Sequence, residues 1–310
     1  MMHSPRLSVI IPVYNAGPYL RKAVQSILDQ SYKDFEFIII NDGSTDGSWQ
    51  ALQEYQDLRI RLYDQENQGL VTTLNRGISL SRGKYIARMD QDDYSEPKRL
   101  EKQVNFLEQH KDIGVLGTTA YIMNEKGEVV KINPTLLNDA ELKLQLMYQT
   151  PFTHGSVMIR RDILSLLPSP FYKKKSGGNA EDYDFWSHLA PITKFANLPE
   201  PLYGWRDNPI GMSNSQSQKQ AVFAHRIAQT YLDSLYGKNL LLKFSLPRIM
   251  YTNELMRIHG AVAHCNRKDS SSYLRYRVSL IMWSKGLRKR SASLFFGAFL
   301  SNPTYFLRIL

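Results

Sequence analysis

The sequence has a single cysteine, Cys265, among its 310 residues. One cysteine excludes an internal disulfide framework and a zinc site built from cysteines, and it fits a reducing compartment. Long apolar runs are missing as well, because no uninterrupted stretch approaches the roughly 18 to 20 residues that a membrane-spanning helix needs. The apolar run at residues 7–13 is too short for a signal sequence and is cut by Pro12. We therefore expect a cytoplasmic protein.

Acidic residues are scarce in the last third of the chain. Residues 219–310 contain 15 basic and three acidic side chains, a net charge of +12, whereas residues 1–218 contain 24 basic and 26 acidic ones. The total net charge of +10 thus combines a near-neutral body with a strongly basic tail. This asymmetry indicates an anionic partner for the tail, either nucleic acid or a membrane face.

Two phosphate-binding fingerprints are absent, since the chain contains neither a G-x-G-x-x-G sequence nor a Walker A sequence. The first hundred residues instead alternate between short apolar runs, typical of buried strands, and helical stripes such as Leu20, Val24, Ile27 and Leu28. This rhythm predicts βαβ crossovers and a mainly parallel sheet flanked by helices. Ligands of such α/β sheets bind at the carboxyl ends of the strands. The apolar runs cover residues 7–13, 35–40, 60–63 and 84–89.

The second half of the chain has a different pattern. We predict a hairpin from residues 115–123 and 127–132, a helix at 139–148, a strand at 156–159 and a helix after Glu181. Beyond Ser213 the pattern is almost wholly helical. The predicted organisation is a domain at residues 1–214 followed by a basic helical region at residues 215–310.

The densest acidic cluster, Asp90-Gln91-Asp92-Asp93, follows the fourth predicted strand. Three carboxylates in four residues repel one another unless a cation is present. Oxygen ligands suit Mg²⁺ or Mn²⁺, and such sites complete their shell with water and substrate phosphates. A nucleoside diphosphate is therefore the natural ligand. The alternative is a solvated turn that caps the helix after Pro97.

Three further polar segments are ambiguous when each is taken alone. An ionised Asp42 accepts hydrogen bonds and is able to read the N3–H of uracil or thymine, whereas Ser44 and Asp46 are more typical of helix caps. The Glu181-Asp182 pair precedes an amphipathic helix, where negative charge is favourable without any catalytic role. A lone histidine such as His154 is more often a structural hydrogen-bonding group than a catalyst.

Seven polar or apolar motifs follow one another along the chain. They are Leu7-Ser-Val-Ile-Ile-Pro-Val-Tyr-Asn15, Asn41-Asp-Gly-Ser-Thr-Asp46, Asn67-Gln-Gly69, Asn75-Arg-Gly77, Gly83-Lys-Tyr-Ile86, Arg88-Met-Asp-Gln-Asp-Asp93 and Glu181-Asp182. Together and in this order, the motifs resemble those of the family 2 glycosyltransferases, which are inverting enzymes of the GT-A fold. The resemblance covers roughly residues 7–213 and is greatest to the bacterial branch that builds capsular, exopolysaccharide or lipopolysaccharide sugars.

The resemblance implies roles for the matching residues. Asp182 would be the catalytic base, with Glu181 the less favoured candidate, and Asp92 would ligate the metal while Asp90 holds ribose or metal. Arg206 would meet phosphate oxygens, and Asn208 stands where the family often has a histidine. The other expected substrate-binding residues are Pro12, Val13, Tyr14, Asn15 and Asp42 around the uracil ring, with Asn67, Gly69 and His154.

The implied activity is transfer of a sugar, with inversion, from a nucleoside-diphosphate sugar to a saccharide or lipid-linked acceptor. A UDP-sugar is the favoured donor and Mn²⁺ or Mg²⁺ the expected cofactor. Two alternatives remain open. A sugar-phosphate nucleotidyltransferase would need a glycine-rich loop with basic residues after the first strand. The corresponding loop, Pro12–Gly17, contains no basic residue. A non-catalytic protein would use the basic tail to bind a membrane or nucleic acid.

The basic tail combines its charges with aromatic and aliphatic residues. Arginines and lysines border an apolar stripe at residues 274–282, and segments such as Leu294-Phe295-Phe296 follow. This combination favours an anionic membrane surface, which would place the protein peripherally on the inner face of the cell membrane. The alternative is a helical cap packed on the sheet. We expect no nucleic-acid partner, because no nucleic-acid-binding motif accompanies the charge.

Overall fold

The structure is a computed structural model that describes residues 4–146, 149–173 and 180–208, and residues 223, 224, 226–228, 230, 231 and 234. Within these residues one nine-stranded sheet has the order β3-β2-β1-β4-β8-β6-β9-β5, and β7 pairs with β6. The strands are β1 (Leu7–Val13), β2 (Phe35–Asp42), β3 (Ile60–Gln65), β4 (Tyr85–Arg88), β5 (Tyr94–Ser95), β6 (Ile113–Met123), β7 (Val129–Asn133), β8 (Met158–Arg160) and β9 (Lys194–Arg206).

Helices cover both faces of this sheet, as the alternating pattern predicts. The four strands β1 to β4 are mutually parallel, with Leu7 opposite both Phe35 and Tyr85. The predicted hairpin is confirmed as β6 and β7, whereas the helix expected at residues 139–148 is described only to Gln145. The helices are α1 (Leu20–Leu28), α2 (Ser48–Gln53), α3 (Leu70–Leu80), α4 (Arg99–Gln109), α5 (Asp139–Gln145), α6 (Arg161–Leu164) and α7 (Glu181–Leu189).

Alternate residues of the central strands enter two hydrophobic clusters, one on each side of the sheet. Phe37 and Ile39 of β2 pack into the first cluster with α1, and Ile38 and Ile40 pack into the second cluster with α3. Because side chains alternate between the faces of a strand, a strand buried on both sides must be apolar throughout. The nearly continuous apolar run of β2 thus follows from its central place in the sheet.

The thirteen-residue strand β9 is the longest element that sequence patterning did not predict. Its sequence contains Pro199 and Pro201, and proline usually argues against a paired strand because it lacks an N–H. The structure accommodates both prolines at an irregularity, since the register with β6 shifts between Thr118, opposite Leu198, and Thr119, opposite Pro201. After this shift β9 continues in parallel with β6 as far as Arg206.

The strand directions bring many loops to one edge of the sheet. β1 to β4 are parallel, and β8 runs antiparallel to both β4 and β6. β9 is parallel to β6. The carboxyl ends of β1 to β4, β6 and β9 therefore lie at the same edge of the sheet as the amino end of β8. The polar segments that follow or precede these strands therefore gather at this edge, which we call the carboxyl edge.

The region after residue 208 is described only in part. Ile227, Ala228 and Tyr231 are helical and buried, and they belong to the second hydrophobic cluster. Most of the predicted basic region, including its apolar stripe at 274–282, lies outside the described residues, so the boundary near residue 215 stays a prediction. Among the described helices, none combines the length and hydropathy that crossing a bilayer requires.

Candidate active site

The acidic loop, residues 89–93, follows β4 at the carboxyl edge. The Arg88 guanidinium lies 2.5 Å from the Asp90 carboxylate, and this arginine is buried. Asp93 is also buried, and it accepts hydrogen bonds from the Tyr203 hydroxyl and the Arg206 N–H, each at 2.7 Å. Burial raises the pKa of Asp93 well above its usual range, with the charges of Asp90 and Asp92 adding to the shift. Asp93 therefore fastens the acidic loop to β9.

Within the part of the chain that the structure describes, Asp92 lacks both the ion pair of Asp90 and the hydrogen bonds that β9 gives to Asp93. Its Oδ2 accepts a hydrogen bond from the Asn208 amide at 3.2 Å, and the described residues give it no ion pair. Burial raises the pKa of Asp92, and the nearby charge of Asp90 raises it further. A cation beside Asp92 would relieve both effects. Asn208, at the position where the family often has histidine, lies at this carboxylate.

These residues could hold a divalent metal only if water or a bound substrate supplies further coordinating atoms. No three His, Cys, Asp or Glu side chains of the described residues are grouped closely enough to hold a metal by themselves. Mg²⁺ sites with one or two carboxylates usually take their remaining ligands from water and substrate phosphates. Because Arg88 already neutralises Asp90, Asp92 is the residue best suited to such an ion, with Asp90 at its side.

The first loop, residues 14–17, follows β1 and is fastened to the loop after β2. Pro12 and Val13, expected near the uracil ring, are buried within β1, and Val13 is 0% exposed in the core. Tyr14, by contrast, is 47% exposed at the carboxyl edge. Side-chain contact with a ligand is thus available to Tyr14 and Asn15 but not to Val13. Four hydrogen bonds hold the first loop: Asn15 N–H to Ser44, Ala16 N–H to Ser48, Gly17 N–H to Asp46, and Thr45 N–H to Asn15.

Asp42 organises the segment before α3. It is the last residue of β2 and is buried, and its carboxylate accepts hydrogen bonds from the Gln65 amide at 2.6 Å and from the N–H groups of Gln68 and Gly69 at 2.9 Å. Gly69 has a φ of 84°, which favours glycine. Asn67 lies close by, since a Cβ on Gly43 would approach its main-chain nitrogen to 2.8 Å. The structure thus brings Asp42, Asn67 and Gly69 together beside the first loop.

Glu181 and Asp182 begin α7. The Asp182 carboxylate accepts a hydrogen bond from the Thr150 hydroxyl at 3.3 Å. Burial raises the pKa of Asp182, although the Tyr183 N–H and the charge of Arg88 oppose the shift. Burial and the neighbouring Asp182 charge raise the pKa of Glu181 to about 7. A carboxylate with a raised pKa is a stronger base, so this pair is suited to accept a proton near neutral pH.

His154 lies in a turn before β8 and is held in an aromatic cluster. Its Nε2 is 2.8 Å from the Tyr172 hydroxyl, and its ring contacts Trp186 edge-on at 5.8 Å. Burial and the charge of Arg88 lower the pKa of His154 well below its usual range, so the imidazole is neutral. Asn75 fixes Tyr172 in turn, because its amide exchanges two hydrogen bonds with the main chain of residue 172, at 2.7 and 3.0 Å.

Arg206 ends β9 with its side chain buried. The guanidinium donates to three main-chain carbonyls, those of Asp92 at 2.7 Å, Asn124 at 3.0 Å and Glu125 at 2.9 Å. The Tyr19 ring covers it at 4.5 Å. The expected contact of Arg206 with phosphate oxygens finds no support in this geometry, because the buried group joins the β6–β7 turn to the acidic loop.

A known protein family matches the part of the chain that contains the acidic loop. The model of the family described as glycosyl transferase family 2 matches residues 8–167, which cover β1 to β8 and the acidic loop. The chain belongs to glycosyl transferase family 2. Its GT-A fold is that of a glycosyltransferase, and the expectation drawn from the motifs is confirmed at this level.

Relatives of this glycosyltransferase include proteins of similar length. The EpsE protein of Bacillus subtilis strain 168, named as a glycosyltransferase, is 32% identical over 288 residues, which cover 91% of this chain and 99% of EpsE. The O-antigen biosynthesis glycosyltransferase WbnJ of Escherichia coli is 32% identical over 244 residues, covering 77% of this chain and 92% of WbnJ.

Solved structures share the fold at low sequence identity. TarS 1–349 of S. aureus in complex with UDP-GlcNAc superposes with a TM-score of 0.58 at 17% identity, covering 97% of this chain and 92% of TarS. The mannosyltransferase PcManGT of Pyrobaculum calidifontis, in complex with GDP-Man and Mn²⁺, gives a TM-score of 0.51 at 18% identity and covers 99% and 83% of the two chains.

Several residues that shape the glycosyltransferase site were not found from the sequence. Arg88 precedes Asp90 by two residues, so the two side chains are expected on the same side of the strand end. This spacing could have predicted their ion pair. Tyr203 and Thr150 gave no signal, because their partners Asp93 and Asp182 are 110 and 32 residues away. Long-range side-chain pairs of this kind depend on β9 and α7 taking their places at the carboxyl edge.

A separate cleft of about 930 Å³ lies at the opposite edge of the sheet, where the parallel strands begin. Its basic side chains Arg6 and Lys84 are paired with Glu108 at 2.6 and 2.7 Å, and Arg82 is paired with the buried Glu36 at 2.9 Å. The carboxylates of the candidate active site are not among the residues that line it. This cleft is therefore separate from the candidate active site.

Proposed function

We propose that this glycosyltransferase moves a sugar from a nucleoside-diphosphate sugar to a saccharide or lipid-linked acceptor, with inversion at the anomeric carbon. The observation that carries the proposal is that two acidic segments face one buried cation. Arg88 pairs with Asp90 at 2.5 Å, and its charge also acts on the pKa of Asp182. This arrangement supports a site for the leaving diphosphate and a base for the acceptor hydroxyl at the same edge of the sheet.

The donor is proposed to be a UDP-sugar. The Asp42 carboxylate has four acceptor positions, and the three hydrogen bonds it receives leave one for the N3–H of uracil. Cytosine lacks this proton and would place a lone pair there. The exposed Tyr14 lies on the neighbouring loop, where its ring is available to the nucleoside. The TarS structures with UDP-GlcNAc and UDP are consistent with a uridine donor.

A divalent cation, Mn²⁺ or Mg²⁺, is proposed to bind at Asp92 with Asp90 beside it. When bound, it would stabilise the negative charge that grows on the leaving diphosphate. Asp92 supplies the oxygen ligand, and the Asn208 amide orients that carboxylate from 3.2 Å. Asp93 holds the loop in place through Tyr203 and Arg206. PcManGT, which has the same fold, was crystallised with Mn²⁺.

Asp182 is proposed as the general base. It takes the proton of the acceptor hydroxyl while that oxygen attacks the anomeric carbon from the face opposite the diphosphate. The Thr150 hydroxyl orients its Oδ2, and the raised pKa increases its basicity. The Asp182 charge in turn raises the pKa of Glu181. A single displacement inverts the anomeric centre, so an α-linked donor gives a β-glycoside.

The proposal is tested with a panel of nucleotide sugars, scored for transfer and for slow donor hydrolysis with Mn²⁺, Mg²⁺ or EDTA. We expect a UDP-sugar to be used and EDTA to abolish turnover. Asp182→Asn should lower transfer by about 10² to 10⁴-fold without loss of UDP binding. Asp92→Ala should lose both turnover and metal-dependent UDP binding. Near-normal turnover by Asp182→Asn would overturn the base assignment, and preference for a purine nucleotide would overturn the role of Asp42.

The basic region 215–310 is proposed to hold the enzyme on the inner face of an anionic cell membrane. Its net positive charge and its mixture of basic, aliphatic and aromatic residues suit such a surface. The full chain should float with vesicles that contain phosphatidylglycerol at moderate salt. A variant with glutamate at positions 288–290 should not float, while its UDP binding stays unchanged. Failure of the unaltered chain to float would overturn the membrane proposal and leave the glycosyltransferase proposal standing.

A further inference from the structure

The side chain of Gln91 makes two hydrogen bonds with the main chain of Tyr14, which lies 77 residues earlier. The Tyr14 N–H donates to Oε1 at 2.7 Å, and Nε2 donates to the Tyr14 carbonyl at 3.0 Å. A primary amide offers an acceptor and a donor side by side, so Gln91 pairs with residue 14 much as a neighbouring strand would. We call this contact the Gln91–Tyr14 clasp.

The clasp joins two groups of loops that are each fastened elsewhere. On one side, the first loop is held to the loop after β2 by four hydrogen bonds that involve residues 15–17 and 44–48. On the other side, the acidic loop is held to β9 through Asp93 and the main chain of Asp92. Gln91 connects these groups across the carboxyl edge, between the uracil side and the diphosphate side of the proposed donor site.

The surroundings of the clasp argue against a role in core stability. Its two hydrogen bonds are in an exposed setting, and Tyr14 is 47% exposed. Water can replace exposed hydrogen bonds at small cost to folding, because no buried polar group is left without a partner. The clasp instead fixes the distance between the first loop and the acidic loop. Its effect therefore belongs to ligand binding more than to folding.

We propose that Gln91 is a positioning residue for the nucleotide-sugar donor, an inference that rests on the proposed glycosyltransferase function. The clasp fixes Tyr14 and Asn15 relative to Asp90 and Asp92, so the nucleoside and the diphosphate of one donor meet both loops at once. Without the clasp, the donor itself must order the first loop, and part of the binding free energy is lost to that ordering. The chemical step at Asp182 is left unchanged, because within the described residues the hydrogen bonds of Gln91 go to Tyr14 and not to Glu181 or Asp182.

The test uses Gln91→Ala in the full chain, with Gln109→Ala as the matched control. Gln109 is exposed at the end of α4, so the same truncation is made outside the site. We expect Gln91→Ala to raise the donor KM and the Kd for UDP about five- to tenfold while kcat stays within twofold, as for the loss of one or two exposed hydrogen bonds. Gln91→Glu should raise the donor KM further, because its carboxylate faces the Tyr14 carbonyl. Gln109→Ala should leave every constant unchanged.

A second measurement does not depend on activity. The Tyr14 N–H donates to Gln91, so hydrogen exchange in a peptide that spans residues 12–17 should become faster in Gln91→Ala and not in Gln109→Ala. A UDP Kd and donor KM within twofold of the unaltered enzyme would overturn the positioning role, whatever the exchange rate. If the unaltered chain transfers no sugar from any nucleotide sugar, the proposed function fails. The effect of Gln91→Ala on UDP affinity then still decides the role of Gln91.

Discussion

Replacing Tyr203 by phenylalanine tests whether β9 holds the acidic loop. The Tyr203 hydroxyl donates to Asp93 at 2.7 Å and accepts the Asp90 N–H at 3.2 Å, and the side chain is 0% exposed. Each lost hydrogen bond leaves a buried or partly buried partner unsatisfied, at a cost of about 1 to 3 kcal/mol. Because phenylalanine keeps the ring, its packing and its cation–π contact with Arg99 at 5.2 Å, we expect a loss of about 3 kcal/mol in unfolding free energy.

Urea unfolding of the two proteins at pH 7.5 measures this loss, with Tyr121→Phe as the matched control. Tyr121 also donates to a carboxylate, that of Glu96 at 2.5 Å, but Glu96 is only half-buried and water can replace the hydroxyl. The control should therefore lose about 1 kcal/mol. The reasoning is refuted if Tyr203→Phe costs less than the control. In that case Asp93 is satisfied by groups other than the Tyr203 hydroxyl.

Three further predictions concern the site. Glu181→Gln removes a carboxyl whose pKa is raised to about 7 by burial and by the Asp182 charge, but it leaves the burial that raises the pKa of Asp182, so the acid limb of the kcat/KM profile should stay in place. A plateau rate as low as that of Asp182→Asn would reassign the base to Glu181. Gly155→Ala should cost about 2 kcal/mol in thermal unfolding, since the added Cβ overlaps the Tyr203 hydroxyl and lies 2.6 Å from Asp90 Oδ2. Asn208→Ala should raise the Mn²⁺ concentration for half-maximal turnover about tenfold, as loss of an outer-shell partner of Asp92 does, and an unchanged metal titration would contradict it.

The first half of the fold could be predicted from the sequence, because the hydrophobic pattern of each segment there matches its burial in the structure. The predicted strand at residues 7–13 matches β1 residue for residue, since a strand buried on both faces needs an unbroken apolar run. β2 extends two residues beyond its predicted end at Ile40, so that Asn41 and Asp42 belong to the strand. Polar side chains at a strand end resemble a turn in the sequence, and only pairing with Asp64 and Gln65 of β3 reveals their place.

The sequence predicted carboxylates that the structure brings to the carboxyl edge, but it did not predict the groups that hold them. Carboxylates such as Asp92 and Asp182 stand in compact motifs, and a motif is a local feature. The groups that hold them, among them Tyr203, come from β9, where two prolines obscure the strand pattern. Arg206 was expected at phosphate because sequence gives the charge of a side chain but not its direction. In the structure, the Arg206 guanidinium donates hydrogen bonds to three main-chain carbonyl oxygens.

The residues that hold Asp93 are synthesised long after Asp93 itself, because they lie far along the chain. Asp93 and the Arg206 N–H are 113 residues apart, so a ribosome that has just finished the acidic loop has not yet made the groups that hold it. A nascent chain ending at residue 167, where the family match stops, contains every carboxylate of the acidic loop and none of β9. Its acidic loop lacks the hydrogen bonds from Tyr203 and Arg206 until translation passes Arg206. We predict that the shortest fragment able to bind a nucleotide-sugar donor extends beyond the segment that the family model matches.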